Sequence, residues 1–415
     1  MRKISADYIF PVSSPPIKNG VVKINDDGVV VAIGDSRLKA QDSRLEIYEG
    51  IICPGFINTH CHLELSHLKS KIDPGKGLDE FIKKIQVYRN SDQRKIIGAI
   101  EQAENEMLAN GIIAVGDISN KKDSFQQKKK KKLKYHTFIE AFAFHPDKAD
   151  VVFDKAKSLL DEYITEVDSN KNHVSITPHA PYSASERLLK KIADYAHRNN
   201  SLLTIHNQEN ADENEFFIKK QGNLLERFRQ FGIDISFWEP TGLDALQSTL
   251  IHLPKYNKIG LVHNTFTSKE DIEWAHKYYG NKLQVTSHKS QILNLKSQMI
   301  YWCTCPNANL YIENKLPDYS IFIARQAKMT IGTDSYASNW SLSILDELKT
   351  ISRYFPKISL ETLLVWATKN GAEFLGFDTE LGTIEKGKKP GLNLIKNVSL
   401  EEMKLTERSE VKVLA

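Results

Sequence analysis

The chain has 415 residues, 41% of them hydrophobic and 26% charged, with a formal net charge of +4. That length accommodates a barrel domain of about 250 residues or more with a smaller domain appended, and so weak a net charge argues against a polyanionic partner. Four cysteines, Cys53, Cys61, Cys303 and Cys305, make no disulfide framework; with no signal-peptide run or membrane-length apolar stretch, a cytoplasmic protein without membrane or nucleic-acid partners is expected.

In chain order, residues 1–50 read as short strands separated by turn signals, as in Gly20-Val21-Val22-Lys23-Ile24-Asn25-Asp26-Asp27-Gly28. From there a theme recurs: a short apolar run, a polar residue at its end, then a helical stretch. The strand candidates are 51–59, 111–118, 135–141, 173–177, 202–205, 259–262, 299–303 and 328–332. Helix candidates include 95–110, 150–166, 184–198, 269–279 and 319–326. Eight strands alternating with helices predict an α/β fold, a (β/α)8 TIM-type barrel over 51–375. Residues 376–415 return to the texture of the N-terminus, so 1–50 and 376–415 are expected to meet as one small β-sandwich. The basic run Lys128 to Lys132 reads as a solvated loop, and Cys303-x-Cys305 as buried or loop thiols. Segments 63–110 and 207–258 are long enough to cover a pocket mouth, with Phe81, Phe216, Phe217 and Trp238 as an aromatic wall.

The ends of the runs carry the chemistry. The first delivers His60 and His62, two residues apart and therefore on one face of an extended backbone. Others end in Glu140, His179, His206 with Glu209 three residues on, His263 and Asp334. In a barrel those ends form the rim on which active sites are built. His60, His62, His206 and Asp334 can hold one divalent ion and leave a position for water, whose pKa such an ion lowers to about 7. These ligands suit zinc, and also iron. Displacing an amine from an aromatic carbon also needs a proton for the adjacent ring nitrogen, and Glu209 is placed to supply it. His263 can orient or deprotonate the attacking water, and Asp334 can shuttle a proton to the departing ammonia.

Six stretches carry a resemblance: Pro54-Gly55-Phe56-Ile57-Asn58-Thr59-His60-Cys61-His62, Thr177-Pro178-His179-Ala180-Pro181-Tyr182-Ser183, His206-Asn207-Gln208-Glu209, Leu261-Val262-His263-Asn264, Cys305-Pro306-Asn307-Ala308-Asn309 and Gly332-Thr333-Asp334-Ser335-Tyr336-Ala337-Ser338-Asn339. Over nearly its whole length the chain resembles the amidohydrolase superfamily, in the mononuclear branch of aminohydrolases and chlorohydrolases. The resemblance implies that His179 faces substrate and that Ser338 supports the aspartate. No lysine of the kind carbamylated in binuclear relatives stands at the end of the fourth strand.

The segment His60-Cys61-His62-Leu63-Glu64-Leu65-Ser66-His67-Leu68 is similar to aminodeoxyfutalosine deaminases. Deamination of an aminopurine or related nucleoside is therefore expected. Hydrolytic displacement of another leaving group, as in chlorohydrolases, and guanine-deaminase-like activity are the alternatives. Glu140 and Glu64 are further candidates for substrate contact. Glu64 reads equally as a rim carboxylate on a backbone amide, and His67 as a packed loop histidine. A homodimer is left open.

Overall fold

The structure is a computed structural model that describes residues 1–35, 45–280 and 299–415. Strands β1 (Arg2–Ile9), β2 (Ile17–Lys18), β3 (Val21–Ile24), β4 (Val30–Gly34) and β5 (Leu45–Pro54) open the chain. Eight further strands alternate with helices: β6 (Phe56–Cys61), β7 (Ile112–Ser119), β8 (Lys134–Ala141), β9 (Val174–Pro178), β10 (Leu203–Asn207), β11 (Ile259–His263), β12 (Ile300–Thr304) and β13 (Lys328–Ile331). The chain closes with β14 (Leu392–Lys396) and β15 (Glu410–Val413).

The eight middle strands are parallel, in two runs ordered β6-β7-β8-β9 and β10-β11-β12-β13. The runs join at both edges. Between β9 and β10 the N–H of His206 donates to His179 O at 2.9 Å. Between β13 and β6 the amides of Thr333 and Asp334 both donate to His60 O, at 3.1 and 3.0 Å. The barrel is thus sewn shut by the backbone of its own chemistry-bearing residues. Its floor is apolar: Ile57, Ala114 and Phe138 meet Tyr301 and Phe374 inside. Gly260 makes room for that plug, since a Cβ there would lie 2.6 Å from the Phe374 ring. The histidines and carboxylates that end the strands gather at the opposite end.

Helices pack outside by their apolar stripes. Glu186–Asn199 buries Leu188, Leu189, Ile192, Ala193 and Ala196 on one face. Its first turn is capped by the Ser185 hydroxyl, which accepts the Leu188 N–H, and it ends at Asn200 with φ +49°.

The two β-rich termini do meet, in one mixed sheet of seven strands among the described residues, ordered β15-β14-β5-β1-β3-β4 with β2 on β1. Ile4, Val22, Ile52, Leu392 and Leu394 form its own apolar cluster. Two readings need correction. The run 51–59 is two strands, because the chain turns at Gly55 and Ile51 to Pro54 pair with β1 and β14 in the terminal sheet. A Cβ at Gly55 would lie 2.6 Å from Ile113, so the corner closes only around glycine. The lysine run is not wholly solvated either. Lys129 to Lys132 are exposed, but Lys128 ends a short helix, Phe125–Lys128, and is buried. Among the described residues no helix is long and apolar enough to cross a membrane.

Candidate active site

At the C-terminal rim of the barrel, His60 and His62 bring their Nε2 atoms to 3.1 Å from each other. Asp334 Oδ1 lies 3.7 Å from His60 Nε2 and 3.5 Å from His62 Nε2. The potential ligand atoms of His60, His62 and His206 all fall within 4.8 Å of one another. His206 is oriented from behind: its Nδ1 donates to His179 O at 2.8 Å, which leaves Nε2 as the free lone pair. Asp334 is held likewise, with Oδ2 accepting from the Ser338 hydroxyl at 2.6 Å and Oδ1 left for the histidines. Burial and the neighbouring imidazoles press the pKa values of His60 and His206 well below the ordinary histidine range. Both rings are therefore neutral, the form that ligates a cation. Three imidazoles and a carboxylate oxygen converging on one point fit a single divalent ion.

Two acid–base candidates adjoin that point. His263, last residue of β11, holds φ at +73°, a costly backbone for a histidine. Asn309 donates through Nδ2 to His263 O, so its Oδ1 must accept from His263 Nδ1 at 2.8 Å. The tautomer is thereby fixed, and Nε2 becomes the basic nitrogen, 3.6 Å from Glu209 Oε1. Burial is the main cause that drives the Glu209 pKa well above the carboxylate range, with the Asp334 charge adding to it. Burial thus favours the acid form of Glu209.

The other predicted residues separate into two groups. His179 and Glu140 line the same cavity as His62, His206, Glu209, His263 and Asp334. The Ser183 hydroxyl bonds Ala180 O and His179 Nδ1, the latter at 2.8 Å, while Glu140 Oε2 accepts from Asn120 Nδ2 at 3.0 Å. Glu64 and Ser338 are not among the lining residues. Glu64 accepts the backbone amides of Asn120 and Lys121 at 3.0 and 2.9 Å, so it laces the rim together, and burial raises its pKa to about 8. His67 does not line the cavity, and Cys303 and Cys305 are buried thiols.

The cavity has a volume of about 430 Å³. Away from the histidines its wall is mostly apolar, with Leu78, Phe81, Ile82 and Ile85 of helix Gly77–Tyr88 and Leu224, Phe228, Phe231 and Ile233, joined by the polar side chains of Gln86, Arg89 and Arg227. Of the expected aromatic wall only Phe81 reaches the cavity. Phe216, Phe217 and Trp238 pack into one another as the core of the lid, the Phe216 and Trp238 rings stacked at 4.5 Å. Arg227 ties the two lid segments by pairing with Asp79. Neither Arg227 nor Glu213, which braces Glu209, stands in a motif. Asn309 does stand in one, at Cys305-Pro306-Asn307-Ala308-Asn309.

The profile of the amidohydrolase family matches residues 51–413. The chain belongs to the amidohydrolase family. This amidohydrolase is 26% identical over 377 residues to an adenosine deaminase of Helicobacter pylori, covering 89% of this chain and 85% of that one. It is 26% identical over 352 residues to an aminodeoxyfutalosine deaminase of a Nitratiruptor species, covering 83% and 78%. The crystal structure of Helicobacter pylori aminofutalosine deaminase with methylthio-coformycin superposes on it with a TM-score of 0.75 at 24% identity, covering 98% of this chain and 94% of that one.

Proposed function

We propose that this amidohydrolase deaminates an aminopurine nucleoside. The observation that carries the reading is a metal-ligand set, a buried carboxyl group and a tautomer-fixed histidine that converge at one end of a cavity with a mostly apolar wall. His60, His62, His206 and Asp334 would hold one divalent ion, which we assign as zinc, with ferrous iron as the alternative. When bound, such an ion acidifies water to near neutrality and acts as a Lewis acid.

The chain's own residues do the rest. Glu209, whose burial favours the acid form, gives its proton to the ring nitrogen next to the amine-bearing carbon, so negative charge does not build there. His263 Nε2, left as the lone-pair nitrogen by the Nδ1 bond to Asn309, orients the attacking water and draws its proton. Asp334, steadied by Ser338, takes the second proton of the adding water and passes it to the departing amine, which leaves as ammonia, and the proton held by His263 returns to Glu209, 3.6 Å away. His179 and Glu140 contact the substrate beside the reacting carbon. The apolar arm of the cavity supports a nucleoside with an apolar substituent over a bare base. Relatives named as deaminases of adenosine and aminodeoxyfutalosine support the same class. Four buried free thiols suit a cytoplasmic setting.

The test is ammonia release by zinc-loaded protein from adenosine, 5′-deoxyadenosine, methylthioadenosine, aminodeoxyfutalosine and guanine, with His263→Ala as the blank. Release from a nucleoside that vanishes in the variant and after chelation is the expected result. Failure across the panel, or release of chloride from a chlorotriazine instead, would overturn it.

A further inference from the structure

Asp117 and Lys128 form an ion pair of 2.6 Å in which both side chains are 0% exposed. Burying two charges is costly, and apolar replacements of such pairs are often neutral or stabilising. Stability alone is therefore a poor reason for its presence. The network around it is closed. Lys128 Nζ spends its remaining donors on Ser119 Oγ and Thr137 Oγ1, each at 3.0 Å. Asp117 Oδ2 takes the lysine, and Oδ1 is left for one more partner: the backbone N–H of Leu63, at 2.8 Å.

Leu63 follows His62 directly. The strand that carries the histidines is irregular there: Asn58 pairs with Val115 but Cys61 with Asp117, so β6 spends one residue more than β7 over the same interval. Such a bulge re-aims side chains and leaves the ladder locally unpaired. His60 and His62 converge at this point, and the tether that ends the bulge is the Asp117–Leu63 bond. Glu64, one residue on, reciprocates by holding the Asn120 and Lys121 amides beyond β7.

We infer that Asp117 is a positioning residue for the metal site, with Lys128 as its buried countercharge: Asp117 pins the backbone after His62 so that the bulged strand aims His60 and His62 at one point. The inference rests on the metal-site reading above, and the two can fail separately. Two double variants remove both charges, so neither leaves a lone buried ion. D117A/K128M lacks the acceptor for Leu63, whereas D117N/K128M retains one.

The measurements are the zinc dissociation constant by chelator competition and the visible spectrum of the cobalt-substituted protein, with melting of the metal-free protein as the fold control. D117A/K128M is expected to bind zinc about 10- to 100-fold more weakly, with a changed cobalt spectrum. D117N/K128M is expected to stay within about threefold of the wild type with the wild-type spectrum. Unchanged affinity in D117A/K128M, or an equal loss in both variants, overturns the inference. If D117A/K128M does not fold, D117N/K128M decides alone: wild-type affinity and spectrum uphold the inference, and anything weaker or altered overturns it. Wild-type protein that binds neither metal would overturn the metal-site reading itself.

Discussion

Glu213 Oε1 accepts the backbone N–H of Glu209 at 2.8 Å, and the same carboxylate also takes the amides of Gln208 and Asn210, at 3.1 and 3.2 Å. Three consecutive amides bound to one buried side chain hold a turn in which Gln208 sits at φ +45°. The turn carries Glu209 to within reach of His263. Glu213→Ala is expected to lower kcat by about 10- to 100-fold, since a displacement near 1 Å costs this much in a positioned acid. Zinc content should stay at the wild-type level. Steady-state kinetics beside metal analysis checks it, and unchanged kcat would show that the turn holds itself.

Ser338 holds Asp334 by a 2.6 Å bond to Oδ2 and takes no part in lining the cavity. Ser338→Ala should let the carboxylate rotate and weaken zinc binding by about tenfold, the low end for the loss of a bond behind a ligand. Chelator competition reads this directly. Affinity equal to the wild type would mean that the backbone amide of Asp334 on His60 O suffices to orient it.

Gly332 sits where β13 passes under the histidines. A Cβ there would lie 2.8 Å from His60 Cβ and 3.0 Å from the Sγ atoms of both Cys303 and Cys305. Gly332→Ala should cost about 1–3 kcal/mol in urea unfolding, the usual size of overpacking. The loss should be accompanied by weaker zinc binding, because His60 is what must move. A stable variant with intact affinity would contradict the packing described.

Glu347 is buried at 0% exposure, where it accepts from the Asn307 amide at 2.8 Å and Asn339 Nδ2 at 2.7 Å. Burial is the largest cause that raises its pKa from 4.5 to about 8. Between those values the folded protein holds a proton that the unfolded chain has released. Stability therefore falls as pH rises through that window, by about 1.4 kcal/mol per pH unit from this group, and the fall ends above about 8. Glu347→Gln removes the titration. Urea unfolding of metal-free protein at pH 6, 7 and 8 should show a flatter profile for the variant, and parallel profiles would refute the assignment.

Much of this protein was legible in the residues alone, and the reason is geometric. Strand alternation, helix stripes and the polar residue that ends each strand are local features, so the barrel and its rim of His60, His62, His206, His263 and Asp334 could be read in chain order. Side-chain partnership is different, because it depends on which distant segment folds against a residue. Nothing near Lys128 in sequence distinguishes it from Lys129 to Lys132, yet only Lys128 reaches Asp117 inside the fold. Glu64 looked as suited to substrate as to backbone until the Asn120 and Lys121 amides, more than fifty residues away, were brought to it. The break at Gly55 likewise appears only when Ile51 to Pro54 find strands from both termini to pair with. The chain itself determined which groups stand on the rim. Tertiary packing decided which of them face the cavity, which brace their neighbours, and which proton each one holds.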